Sequence, residues 1–301
     1  KERAGPGVVT PGPARSFVFL ARYVLLEKMS VRFFKGAVMT TYKNQDTHDF
    51  VIAYASSLDA FDAVAFEHSV ALASESNAQL FTIHTHPGKL DAFIPEATLL
   101  LSQWDRPNLI HNKLRIDNCD APVSELIQQL RRIEPDLLIV GKRQGALSGD
   151  AIETSVSEAL SRNLRNPTLV LPHGQRGFVN TMNGKVRLRR VLIPVEHEDA
   201  FHPAMEAFQR ILNRISANKP ELILVHAGDT PPACFEDAKV TTVTREGTLE
   251  QVVLEVAQEQ NVDLIAMSTH GHDSLSDMRR GSRTERVLRS SQRPVLVVPF
   301  D

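Results

Sequence analysis

Asp136-Leu-Leu-Ile-Val140 and Asp263-Leu-Ile-Ala-Met267 lie 127 positions apart, and Pro167-Thr-Leu-Val-Leu-Pro172 and Pro294-Val-Leu-Val-Val-Pro299 lie 127 apart as well. Two apolar runs repeating at one interval restrict the fold more than composition does: the chain holds two copies of one unit. At 301 residues it is long enough to give each copy its own core. A further pair of runs, 80–84 and 222–226, repeats at 142 positions, so the first copy carries 15 additional residues around Asp91–Asn108. That insertion contains the only tryptophan, Trp104, and reads as a lid, an interface element or surface loop.

Within each copy, apolar runs of strand length alternate with helical spacing. In the first, Phe50–Ala55, Leu80–His84, Asp136–Val140 and Pro167–Pro172 read as strands. Ser56–Ser76 reads as a helix, and Val123, Leu126, Ile127, Leu130 and Ile133 mark one face of another. The second copy gives strands at Val191–Val195, Leu222–His226 and Val240–Val243, besides Asp263–Met267 and Pro294–Pro299. Its helix faces are Ala204, Phe208, Ile211, Leu212 and Ile215, then Leu249, Val252, Val253, Val256 and Ala257. Such alternation predicts parallel βαβ units with right-handed crossovers.

The expected divisions are an extension over 1–48, a first domain over 49–174, a linker over 175–186 and a second domain over 187–301. The extension opens rich in proline and glycine and then runs apolar and basic over Ser16–Lys35, so it is expected to be partly disordered and partly helical. Its helix would pack on its own domain, or touch a membrane surface or partner. The connecting stretch gathers Lys185, Arg187, Arg189 and Arg190. A solvated charged connector is the expectation there, with an anionic partner as the alternative.

Bulk properties exclude several classes. Apolar residues at 42% and charged residues at 23% suit folded domains, and a net charge of −2 gives no reason to expect a nucleic-acid partner. Cys119 and Cys234 fall one in each half, which suggests neither a disulfide framework nor zinc and fits a reducing, cytoplasmic setting. No apolar run reaches membrane-spanning length, so no integral membrane segment is expected. His84 and His86 are two potential ligands without a third nearby, and no metal residues are assigned. The phosphate-loop lysine motif and the serine elbow are both missing, and no general base has a paired acid. No catalytic residues are therefore assigned; at most a weak ATPase is expected.

The stretch from Asp263 to Pro299 carries the functional expectation. It reads as a strand, a turn at Ser268-Thr-His-Gly271, a helix over Arg283–Ser291 that starts after Gly281-Ser282, and a second strand. A helix start leaves N–H groups unpaired and carries partial positive charge. A glycine just before it lets phosphate approach the backbone, and Ser282 can cap the helix or bond an oxygen. Arg279, Arg280 and Arg283 add fixed charge. Taken alone, these residues also fit an ordinary helix start.

The spacing Ser268-x2-Gly271-x9-Gly281-Ser282 resembles the nucleotide-binding signature of the universal stress protein family, Gly-x2-Gly-x9-Gly-Ser/Thr, with serine in place of the first glycine. That resemblance implies an α/β fold: two tandem Rossmann-like universal-stress-type domains, each an open five-stranded parallel sheet in the order 3-2-1-4-5 with helices on both faces. It implies that Pro167–Pro172 and Pro294–Pro299 pair within the chain as an intramolecular pseudo-dimer, with a homodimer of chains left open. It further implies an ATP-binding stress-response sensor or regulator, with or without Mg2+. The adenine nucleotide would be held by Pro194, Glu196, Ser268, His270, Gly271, Arg280, Gly281, Ser282 and Arg283. The alternatives are a nucleotide-free scaffold and a weak adenine-nucleotide hydrolase.

The first copy is expected to bind nucleotide weakly or not at all. The shared interval sets Gly141 at the place of Ser268, Gln144 at Gly271, Thr154 at Gly281, Ser155 at Ser282 and Glu158 at Glu285. Ala55 is set against Glu196, where the family usually has an aspartate, and Lys142 and Arg143 offer partial compensation.

Overall fold

The computed structural model describes residues 50–58, 62–88, 93–142, 166–175, 177–196, 201–235, 240–270 and 283–300. The expected extension over 1–48 lies outside them, as do Arg143, Gln144, Thr154, Ser155 and Glu158.

Among the described residues, ten strands form one sheet. In the first half these are β1 (Val51–Ala55), β2 (Gln79–Thr85), β3 (His111–Ile116), β4 (Leu137–Gly141) and β5 (Thr168–Leu171). A two-stranded hairpin of β6 (Val179–Asn180) and β7 (Lys185–Val186) follows. The second half supplies β8 (Arg190–Pro194), β9 (Glu221–Ala227), β10 (Thr241–Arg245), β11 (Leu264–His270) and β12 (Val295–Phe300). The sheet order is β10-β9-β8-β11-β12-β5-β4-β1-β2-β3. Each half is therefore parallel in the order 3-2-1-4-5, as the family resemblance implies.

The halves meet where β12 pairs antiparallel with β5, Val295 opposite Val170 and Val297 opposite Thr168. This is the pairing expected of the two final strands, and it covers the exposed N–H and C=O row on each.

Helices lie on both faces. On one, α1 (Ala63–Ser76) packs beside α4 (Phe201–Ile215), and α2 (Ala97–Gln103) packs against α1. On the other lie α3 (Pro122–Ile133), α5 (Leu249–Glu259) and α6 (Arg283–Ser290). Their apolar stripes meet Ala53, Ile83, Leu138, Val170, Leu192, Val225, Ile265 and Val297 in one core that runs through both halves. Each fully buried Leu, Ile or Val contributes about 1.5–3 kcal/mol relative to exposure.

The repeated aspartates have a structural reason. Asp136 Oδ2 accepts the Val51 N–H at 2.8 Å, and Asp263 Oδ2 accepts the Arg190 N–H at 3.0 Å. In each half the residue just before the fourth strand holds the first residue of the first strand.

Three expectations need correction. The first helix begins at Ala63 rather than Ser56, because Ser56 and Ser57 are drawn to the Asp62 carboxylate instead. The insertion is neither lid nor padding: it contains α2 and the buried Trp104, whose Nε1–H donates to Thr181 O at 3.0 Å. The connector is not a solvated tether, since Phe178, Val179, Val186 and Leu188 are buried. Gly184, at φ +64°, lies so close to the Trp104 ring that a Cβ would collide with it.

Candidate functional site

In a doubly wound sheet, ligands sit outside the carboxyl ends of strands where the strand order reverses. In the second half that place lies between β8 and β11, since β9 continues from the other side of β8. Pro194 closes β8, and the Val195 N–H is held by Val225 O at 2.8 Å, so Glu196 leaves the sheet edge from a fixed backbone. Arg283 opens α6, the helix that follows β11. The Arg283 guanidinium donates to the Glu196 carboxylate as an ion pair between the two lips of the crevice. Glu196 is half-buried and Arg283 is exposed.

Five of the nine expected residues can thus be placed, four of them with their side chains: Pro194 at the end of β8, Glu196 two residues beyond it, Ser268 in β11 and Arg283 at the start of α6. His270 is placed by its backbone at the end of β11, opposite Phe300. Gly271, Arg280, Gly281 and Ser282 lie outside the described residues. Ser268, Thr269 and His270 continue the strand rather than forming a turn, because β12 also runs on and pairs with them through Val298, Pro299 and Phe300. The turn expected at Ser268 therefore comes no earlier than the end of β11.

α6 is arranged for charge. Glu285 lies buried in its first turn and accepts from Arg289 Nη2 at 3.1 Å, one turn on. At its far end, the Lys142 ammonium from the first half donates to the carbonyls of Leu288 and Arg289. A cation at a helix C-terminus is favourable. Lys142 is thus engaged with the second half rather than compensating the first, contrary to expectation.

The first half is built differently at the equivalent place. Ala55 pairs with Ile83 as Pro194 pairs with Val225, so the residue matching Glu196 is Ser57, not Ala55. Gly141 does match Ser268, pairing with Leu171 as Ser268 pairs with Val298. Between these lips lies the buried Asp62 carboxylate, which accepts from Ser57 N at 2.6 Å and Ser56 Oγ at 3.0 Å. A Cβ on Gly141 would come within 2.8 Å of Asp62 Oδ1. Glycine there makes room for a carboxylate of the chain itself. No pattern pointed to Asp62; the one available signal was a residue type common at helix starts, ahead of Ala63.

The histidines have a common task. His84 Nδ1 lies 2.9 Å from Ser56 O, and His226 Nδ1 lies 2.8 Å from Val195 O. Each ties the end of a second strand to the residue following the first. Burial pushes the His84 pKa down, which favours the neutral ring. Among the described residues no group of three or more His, Cys, Asp or Glu is placed to hold a metal ion, and no helix is long and apolar enough to cross a membrane.

A sequence model of the universal stress protein family matches residues 233–299, which include the candidate loop and α6. A universal stress protein of Methanocaldococcus jannaschii is 37% identical over 60 residues, 20% of this chain and 37% of that protein. The chain thus spans little more than a third of that relative's length. Another, from Synechocystis sp., is 27% identical over 150 residues, 41% of this chain and 94% of that protein. The crystal structure of a universal stress protein from Archaeoglobus fulgidus matches with a TM-score of 0.58 at 17% identity, covering 83% of this chain and 96% of that one. That likeness is one of fold, and it extends over both halves. By the match over α6 and its loop, and by the two relatives, the chain is similar to the universal stress protein family.

Proposed function

We propose that the second half binds ATP in the crevice between β8 and β11, and that the chain acts as a nucleotide-dependent sensor or regulator in a stress response. The observation that carries this reading is the Glu196–Arg283 pair, one partner on each lip of the strand-order switch. The phosphates take the start of α6, where Gly281 and Ser282 provide close approach and Arg283 provides charge. Arg283 then exchanges Glu196 for a phosphate oxygen, leaving the carboxylate to accept from ribose hydroxyls or to help hold Mg2+.

The first half serves as scaffold. Asp62 holds negative charge where phosphates would lie, and Lys142 is occupied at α6. In this reading the two halves form an intramolecular pseudo-dimer with one working site, in a cytoplasmic protein. Hydrolysis, where it occurs, is slow.

Calorimetric titration with ATP tests the proposal on the wild type and on Gly281→Val. A Cβ and two methyls at that position are expected to weaken binding at least about tenfold, a loss near 1.4 kcal/mol. Equal affinity in the two proteins would remove the site.

A further inference from the structure

The described residues enclose a cleft of about 630 Å³ at the opposite end of the second half's strands, lined by Lys185, Val186, Arg187, Leu188, Arg189, Asn218, Lys219 and Glu221. One wall is the chain leading from β7 into β8; the other is the turn from α4 into β9. Four cations line it against a single carboxylate, in a chain whose net charge is −2.

The cations are held on a fixed frame. Along 185–189 the side chains alternate, with Val186 and Leu188 buried while Lys185, Arg187 and Arg189 are exposed. The alternation sets Lys185, Arg187 and Arg189 on the outer side of this stretch, away from the buried Val186 and Leu188. The Arg187 N–H donates to Phe178 O at 2.8 Å, and Arg189 O accepts from the Glu221 N–H at 2.7 Å. Arg189 N also donates to Asp263 Oδ2 at 2.8 Å. Lys219 and Asn218 face this strand from the other wall.

The negative charge nearby is already engaged. Glu221 Oε2 accepts from Arg190 Nε at 3.0 Å, and Asp263 lies 3.8 Å from Arg189 Nη2. Among the described residues, Lys185, Arg187 and Lys219 have no ion-pair partner. Like charges held together this way repel one another, and a multivalent anion relieves that repulsion.

We infer that this cleft binds a small molecule carrying several phosphate groups, at a site separate from the nucleotide crevice. Its volume lies within the range of small-ligand sites, about 300–1,000 Å³. Two facing walls suit a compact ligand better than a duplex or a flat protein surface. Strand β8 separates the two places by roughly 15 Å, since five residues rise about 3.3 Å each.

The probe is inorganic triphosphate, titrated calorimetrically into the full chain at roughly 50 and 200 mM salt. Expected results are saturable binding that weakens with salt, orthophosphate binding at least about tenfold more weakly, and a loss of at least about tenfold in Arg187→Ser/Lys219→Ser. Lys185→Glu, on the same wall, is expected to give a similar loss. Gly281→Val is expected to leave the saturable binding in place, which separates this site from the crevice at α6. Unchanged affinity in the cleft variants, abolition by Gly281→Val, or no binding to the wild type would overturn the inference. Tighter binding of a single-stranded oligonucleotide than of triphosphate, lost in the same cleft variants, would overturn the ligand class.

Discussion

Two adjacent residues of α1 show how burial sets charge. Glu67 is buried, and desolvation pushes its carboxyl up to about 7. His68 is fully buried, and desolvation pushes its ring down to about 4, against the pull of the Val64 carbonyl. His68 Nε2 accepts from Phe178 N at 3.1 Å and Val179 N at 3.2 Å, so the proton must sit on Nδ1, donating to Val64 O at 2.7 Å. For Glu67 the folded value lies above the unfolded one. Its neutral form costs nothing below about 4.5, and stability is lost as pH rises from there through 7. For His68 the folded value is the lower one, so stability is lost as pH falls from about 6.5 through 4. Glu67→Gln is therefore expected to raise stability at pH 8 by about 3 kcal/mol and to change little at pH 4, read by denaturant unfolding at both pH values. A gain of equal size at both would show that ionisation is not the cause. Neither role was legible in the sequence: at helical spacing, Glu67 and His68 look like any polar pair, and only tertiary packing buries them, that of His68 including Phe178 and Val179 of the connector.

At the scale of elements, the connector is the main departure from expectation. Its alternation of Lys185, Arg187 and Arg189 with Val186 and Leu188 is visible in the sequence. The cluster of positive charge drew the reading toward a solvated tether, although period-two alternation is itself a strand signal. Strand β3 was missed for a related reason: it is an edge strand, partly exposed, with Lys113 and Arg115 interrupting its apolar residues. The central strands, as continuous apolar runs, and the helices with long periodic faces, such as α4 and α5, were legible, whereas the start of α1, the whole of α2 and the extension of β11 to His270 were not. Trp104 joins the insertion to the connector and gives the prediction for this scale. Trp104→Ala is expected to cost about 3–5 kcal/mol and to speed protease cleavage within 178–188. Trp104→Phe keeps most of the packing but forfeits the N–H to Thr181 O, a loss of about 1 kcal/mol. Cleavage of the alanine variant at the wild-type rate would mean that the hairpin holds its place without the ring.

Over the whole molecule, the β5–β12 pairing and the shared core bind the halves into one sheet. A single cooperative unfolding transition is expected. Trp104 is the only tryptophan, so its fluorescence reports the first half and connector, while far-UV circular dichroism reports both halves. The two signals should share one denaturant midpoint; separate midpoints would show halves that unfold independently. The repeat interval made the tandem plan legible, because the strands it relates are buried on both faces and tolerate little but apolar residues. The join between halves came from the family resemblance, since no feature of Thr168–Leu171 alone specifies an antiparallel neighbour. Lys142 was placed wrongly because its partner carbonyls lie 146 and 147 positions away. Within the described residues, the internal join leaves β3 and β10 as the outermost rows of the sheet. Among the described residues both final strands already have a neighbour on each side, so a second copy of the chain that docked strand to strand would find its open rows on those outer rims.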